Sequence, residues 1–171
     1  MKCLDLIKYR RTTRKFTKQT IDMGILKSIV EAGRYAPTAN NKQDFQITVI
    51  SSNELIGKLH DKLKIALDNP NYNRFYGATT LILISFPKDN ENASFDTGCI
   101  LQNMMLQASY LNIGSVWINQ FKSEKTNDIL RDILDELNIP KNHLVNGALG
   151  LGYPEKNIHF DRKNKSKVNF F

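Results

Sequence analysis

A chain of 171 residues is long enough for one domain with a sizeable core, and 41% hydrophobic with 24% charged residues excludes a disordered tail protein. Lys and Arg number 24 against 17 Asp and Glu, a net charge of +7 that favours an anionic partner: nucleic acid, an acidic surface or a phosphorylated ligand. The longest apolar run, Leu81 to Ile84, is too short to span a bilayer; Lys2 and Asp5 argue against a leader peptide, and the isolated cysteines Cys3 and Cys99 suit a reducing cytoplasm.

After a hydrophobic start comes "YRRTTRKF", Tyr9 to Phe16, which holds four cations, two hydroxyls and two aromatics. Asp22 then caps a predicted helix to about Arg34, with Ile25, Ile29 and Ala32 on one stripe, Leu26, Val30 and Gly33 beside it, and Pro37 beyond its end. Phe45 to Ile50 reads as a strand rich in β-branched residues, and Asn53 to about Leu67 as an amphipathic helix on Leu55, Ile56, Leu59, Leu63 and Leu67. "DNPNYNRFYG" breaks the pattern as a loop, and "ATTLILISF", Ala78 to Phe86, is apolar enough to be a central strand covered on both faces. Phe95 to Leu111 reads as a long buried helix, with Cys99, Ile100, Leu101, Met104, Met105, Leu106 and Ala108 covering most of its circumference and Gly114 ending it. Ser115 to Phe121 follows as a strand, Lys125 to Leu137 as a helix and Val145 to Leu151 as a last strand. No repeat and no linker divides the chain, so residues 1–171 form a single domain of alternating helices and strands, a three-layer α/β or α+β architecture.

Side chains offer little independent chemistry. His60, His143 and His159 lie far apart with no carboxylate or cysteine at metal-ligand spacing, so no metal site is expected, and no Ser or Cys sits in a nucleophile motif. A bound cofactor then becomes the natural carrier of any hard chemistry. "GALGLGYP", Gly147 to Pro154, contains a G-x-G, but Glu155 stands where a dinucleotide fingerprint needs its third glycine and no helix follows, so tight turns at a strand end are the better reading. Arg10, Arg11, Thr12 and Arg14 can form a cradle for phosphate, since guanidinium forks and hydroxyls suit its oxygens; charge runs are, equally, often solvated faces. A second basic cluster, "DRKNKSK", Asp161 to Lys167, could join the first only if the termini meet. Met104 and Met105 read as packing, Asp96 as a first-turn carboxylate, and Asn103 as a tie from its helix to a neighbouring segment or a residue facing a ligand. Tyr72, Phe75 and Tyr76 either line an acceptor pocket or pack among themselves.

Four segments together resemble the nitroreductase family. "YRRTTRKF" is similar to its N-terminal R-R-S-x-R-x-F, "APTANNKQDF" to A-P-S-x-x-N-x-Q-P-W, "DTGCILQNMMLQASYLNIGSVWINQF" to its D-x-G-x-x-x-Q-N-M-x-L-x-A helix and following strand, and "ALGLGYPEK" with Arg162 and Lys163 to its closing L-G-Y-P and basic pair. The resemblance implies an α+β three-layer sandwich with a central mixed sheet flanked by helices, FMN bound at a homodimer interface, and NAD(P)H as electron donor. It assigns Arg10, Arg11 and Thr12 to the FMN phosphate and ribityl chain, Arg14 to the N1/O2 edge, and Arg162 and Lys163 to the phosphate. Pro37, Thr38, Ala39 and Asn41 would reach the flavin from the partner subunit with Gln43 supporting their loop, and Ile118 and Asn119 would approach N5 with backbone groups. Asp44 and Phe45 replace the family's Pro and Trp, Asn119 replaces a frequent Gly, and the segment from Leu67 to Gly77 is short, which would leave the flavin's open face exposed and the acceptor range broad.

The implied activity is hydride transfer from NAD(P)H through flavin N5 to a small-molecule acceptor such as a nitroaromatic or quinone, by a ping-pong mechanism. The apolar end Val168, Phe170 and Phe171 is expected to dock on the partner. Two alternatives stay open: an FMN-holding redox sensor or carrier without efficient turnover, and a small basic module that binds a polyanion. Nucleic acid is disfavoured as a partner because the clusters lack repeated aromatics and no nucleic-acid-binding signature is present.

Overall fold

Leu81, Ile82, Leu83 and Ile84 are all fully buried because their strand has a hydrophobic layer on each side. The computed structural model of the chain describes residues 2–156 and 162–171. In chain order the helices and strands are α1 (Cys3–Tyr9), α2 (Met23–Arg34), β1 (Gln46–Ile50), α3 (Asn53–Ala66), β2 (Thr80–Pro87), α4 (Ala93–Tyr110), β3 (Gly114–Ile118), α5 (Glu124–Ile129), α6 (Arg131–Glu136) and β4 (His143–Gly152). The strands form one sheet in the order β1-β2-β4-β3, so β2 lies inside it as its composition requires. All pairings between these strands are antiparallel, so the sheet is antiparallel rather than the mixed one expected; the parallel pairing is confined to an isolated bridge from Thr12, outside the strands, to Ser115 on β3.

Alternation along β2 sorts the two cores. Leu81 and Leu83 face one cluster with Ile56, Leu59 and Leu63 of α3, Ile133 and Leu134 of α6, and the buried rings Phe75 and Phe121. Ile82 and Ile84 face the other, with Leu26 and Ile29 of α2 and Ile100, Leu101, Met104 and Met105 of α4. The result is the expected three-layer α+β sandwich. Caps fall where short polar side chains precede the helices: Asp22 accepts from Gly24 N–H at 2.7 Å, Ser52 from Leu55 N–H at 3.3 Å, and Ser123 from Thr126 N–H at 3.1 Å.

The structure differs from the sequence reading at particular places. The helix predicted over Lys125 to Leu137 is interrupted at Leu130, because its halves are anchored to different neighbours. Asn127 of α5 donates to Phe121 C=O at 2.6 Å and accepts from Val145 N–H of β4 at 2.8 Å, whereas Arg131 of α6 donates to Ile139 C=O at 2.8 Å. Helix α4 ends with Leu111 as its cap and Asn112 in the left-handed region at φ 58°; Gly114 instead begins β3. Cys99, read as buried, is exposed, as are Phe95 and Tyr110 on the same helix. Helix α1 was not predicted, and none of its residues is buried. Among the described residues no helix is long and apolar enough to cross a membrane.

Candidate functional site

The segment after α1 runs as an extended arm along the open edge of β3. Thr13 N–H donates to Ser115 C=O at 2.9 Å, Thr17 N–H to Tyr153 C=O at 2.8 Å, and Glu155 N–H to Lys15 C=O at 3.2 Å. Two glycines make room for it. A Cβ on Gly114 would lie 2.7 Å from the Thr13 hydroxyl, and one on Gly152 would lie 2.8 Å from the Phe16 ring. The G-x-G of "GALGLGYP" is thus explained by side chains packed directly on its backbone, since a Cβ on Gly150 would also meet the Val116 side chain at 3.0 Å.

The arm carries the basic cluster. Arg11 turns back on α1 and donates through Nη1 to the carbonyls of Lys8 at 2.5 Å and Arg10 at 2.9 Å, which closes the helix C-terminus. Arg10 points into a surface groove that it lines with Lys8, Arg11, Arg162, Asn164 and Ser166, so the chain's two basic ends do meet. Partial burial pushes the Arg10 guanidinium below its ordinary pKa, and the neighbouring charges of Arg11 and Arg162 push the same way. Among the described residues neither Arg10 nor Arg162 forms an ion pair with a carboxylate. Leu4 and Ile7 also line the groove, and its cations have the chemistry to accept an anion. Lys163 follows Arg162 and is exposed. Thr12 is held in the bridge to Ser115, and Arg14, exposed, places its guanidinium carbon 5.9 Å from the Tyr76 ring centre.

A second constellation lies in residues 36–43. Pro37 and Asn41 are exposed, Thr38 and Ala39 half-buried, and Asn40, Asn41 and Gln43 adopt positive φ of 52°, 53° and 51°. Left-handed backbone at three non-glycine residues persists only where the surroundings hold it. Gln43 N–H donates to the Thr38 hydroxyl at 3.1 Å, and its amide group donates to Asn41 Oδ1 at 2.7 Å. From the far side, Asp96 of α4 accepts Ala39 N–H with both carboxylate oxygens, at 3.1 and 3.3 Å. The sequence reading of Asp96 stopped at the helix dipole and missed this contact; its signals were a carboxylate in the first turn of an apolar helix and its place at the head of the "DTGCILQNMM" segment.

The remaining candidates sort by burial. Ile118 ends β3 with its side chain in the core, so only its backbone is available, while Asn119 is exposed. Phe75 is fully buried against Phe121, and partial burial raises the Tyr72 pKa to about 12, so these two rings serve packing while Tyr76 reaches Arg14. Asn103 donates to Ala32 C=O at 3.2 Å and ties α4 to α2, the packing role. His60 lies 2.8 Å from Tyr72 C=O, His143 lies 3.2 Å from the Ser85 hydroxyl, and His159 falls outside the described residues. No three potential metal ligands gather among the described residues.

The model of the Nitroreductase family matches residues 7–153. A curated protein of Archaeoglobus fulgidus, provisionally named NADH dehydrogenase/NAD(P)H nitroreductase, is 27% identical over 175 residues, covering 98% of this chain and 96% of its own. The nitrobenzene nitroreductase of Ectopseudomonas oleovorans is 24% identical over 213 residues, covering 96% and 92%. The crystal structure of a nitroreductase with bound FMN from Bacteroides fragilis superposes with a TM-score of 0.88 at 27% identity, covering 98% of this chain and 97% of that one.

Proposed function

The chain belongs to the nitroreductase family, and from that premise we infer that it is an FMN-dependent oxidoreductase that takes electrons from NAD(P)H. The observation that carries the inference is the groove where Arg10, Arg11 and Arg162 converge and where Arg10 and Arg162 have no carboxylate partner among the described residues. This donor set fits a phosphomonoester, whose oxygens accept from guanidinium forks and offset the mutual repulsion of the cations. In this reading Arg10 and Arg162 grip the phosphate with Lys163 nearby, while Arg11 keeps the end of α1 in place beneath it. Thr12 supports the ribityl chain from its bridge to β3.

Bound FMN would supply the two-electron chemistry, accepting hydride from NAD(P)H at N5 and passing it to a nitroaromatic, quinone or similar acceptor in two half-reactions. The protein's own task is positioning and electrostatics. Arg14 sets a fixed positive charge beside the N1/O2 edge, where reduction builds negative charge, and its face-on placement at Tyr76 limits the motion of the guanidinium. Pro37, Thr38, Ala39 and Asn41 present a rigid loop to the flavin of the partner subunit, and the backbone at Ile118 and Asn119 borders N5.

The dimer in this proposal has support from the surface of the single chain. Phe95 is 75% exposed on α4 and Phe170 is 94% exposed in the tail, with Leu4, Trp117, Val168 and Phe171 also open to solvent. A second copy of the chain would cover them. Two exposed free thiols, Cys3 and Cys99, accord with a reducing cytoplasm.

An absorption spectrum of the purified protein, followed by anaerobic NADH or NADPH, tests the reading. Flavin bands that bleach and return on adding a nitroaromatic or quinone are the expected result. Bands that persist would favour a sensor or carrier. A colourless protein that takes up no FMN would return the arginine groove to the polyanion-binding reading.

A further inference from the structure

Asp96 is 5% exposed and lies 57 positions along the chain from Ala39, whose amide it holds. A buried carboxylate is expensive unless its oxygens are satisfied, and here both oxygens converge on one backbone N–H rather than on a cation. The loop it holds contains the strained residues Asn40, Asn41 and Gln43, and the hydrogen bonds from Gln43 to Thr38 and Asn41 close that loop only upon itself. The bond from Ala39 to Asp96 is the hydrogen bond among the described residues that fastens the turn Ala39–Asn41 to the rigid body of the protein, at the first turn of α4. Because α4 packs into the core through Ile100 and Met104, one and two turns along the same face as Asp96, and through Leu101 beside them, the anchor point itself has little freedom.

We propose that Asp96 is a positioning residue for the cofactor: by holding Ala39 N–H it fixes the height and strain of the Pro37–Asn41 loop, and thereby the surface that the loop presents to the flavin. The inference rests on the FMN reading above, in which Ala39 and Asn41 reach the ring. Asp96 does not touch the ring; it acts through the loop. A charge-assisted hydrogen bond to a backbone amide is stronger than a neutral one, which suits a contact that must offset three left-handed residues.

The test uses the full-length protein with Asp96→Ala and Asp96→Asn, the second keeping the shape and one acceptor oxygen. Hydrogen exchange at the Ala39 amide reads the anchor directly, and FMN titration reads its consequence. Asp96→Ala is expected to expose the Ala39 amide while α4 and β2 stay protected, and to weaken FMN binding by about tenfold, the scale of one lost charge-assisted bond. Asp96→Asn is expected to fall between this variant and the wild type in both readouts. An exposed Ala39 amide with FMN affinity unchanged within about twofold would overturn the proposal and leave the flavin reading intact. So would general loss of protection in both variants, which assigns Asp96 to folding. If the wild type itself binds no FMN, the flavin reading fails and takes this proposal with it.

Discussion

At the level of single residues, charge and burial decide which polar groups matter. His143 sits partly buried beside Ser85, and burial lowers its pKa below the ordinary 6.5, against a smaller opposing effect from Asp44. Between the folded and unfolded values the unfolded chain binds more protons, so this contribution is present above pH 6.5 and is lost as the pH falls below it. Urea midpoints measured at neutral and mildly acid pH should therefore drop less in His143→Gln than in the wild type; parallel drops would show that His143 does not matter. Arg14→Ala should make the midpoint potential of bound flavin more negative by about 30 mV or more, equivalent to about 1.4 kcal/mol of lost stabilisation of the reduced form. An unchanged potential in a redox titration removes Arg14 from the ring edge.

Elements are held together by contacts whose partners are distant in sequence. Asn127 satisfies both main-chain groups of Val145 and the carbonyl of Phe121, so it stitches α5 to β4 and to the end of the β3 connection. Asn127→Leu would leave the Val145 N–H buried without its acceptor, and should cost about 3 kcal/mol in denaturant unfolding; a loss below about 1 kcal/mol would show that the stitch is dispensable. The arm on β3 gives a sharper pair of experiments. Gly152→Ala drives a Cβ to 2.8 Å from the Phe16 ring and should cost about 1–3 kcal/mol while loosening the arm that carries Arg10 and Arg14. Gly98→Ala on α4 meets only Trp117 at 3.7 Å and should be neutral or stabilising. Equal thermal shifts in the two variants would contradict this account of the arm.

Over the whole molecule, the net charge of +7 is not spread evenly, because both basic ends of the chain border one groove. Binding of FMN there should weaken as salt rises, since the groove is open to solvent and its charges are screened over about 10 Å at 0.1 M salt. The proposed dimer predicts that sedimentation of the wild type gives twice the chain mass, and that removal of residues 168–171 shifts the equilibrium toward monomer. A monomer that retains FMN would refute both the dimer and the cross-subunit role of the loop at residues 36–43.

Periodicity alone determined most of the architecture. The four apolar residues from Leu81 to Ile84 already demanded two covering layers, and the stripes on α2 and α3 with the broadly apolar α4 already supplied them, because burial of a repeating face is a local property of the chain. The arginines at 10, 11 and 162 were visible as charge, and their order with the other segments was enough to point to a family. Only the tertiary structure decided that Arg162 comes to Arg10, that Gly114 and Gly152 exist to admit Thr13 and Phe16, and that Asp96 holds Ala39. Each of these is a contact between residues far apart in the chain, and no local spacing encodes it. The break at Leu130 belongs with them: the amphipathic pattern continues through it, and only the separate anchors at Asn127 and Arg131 divide the helix.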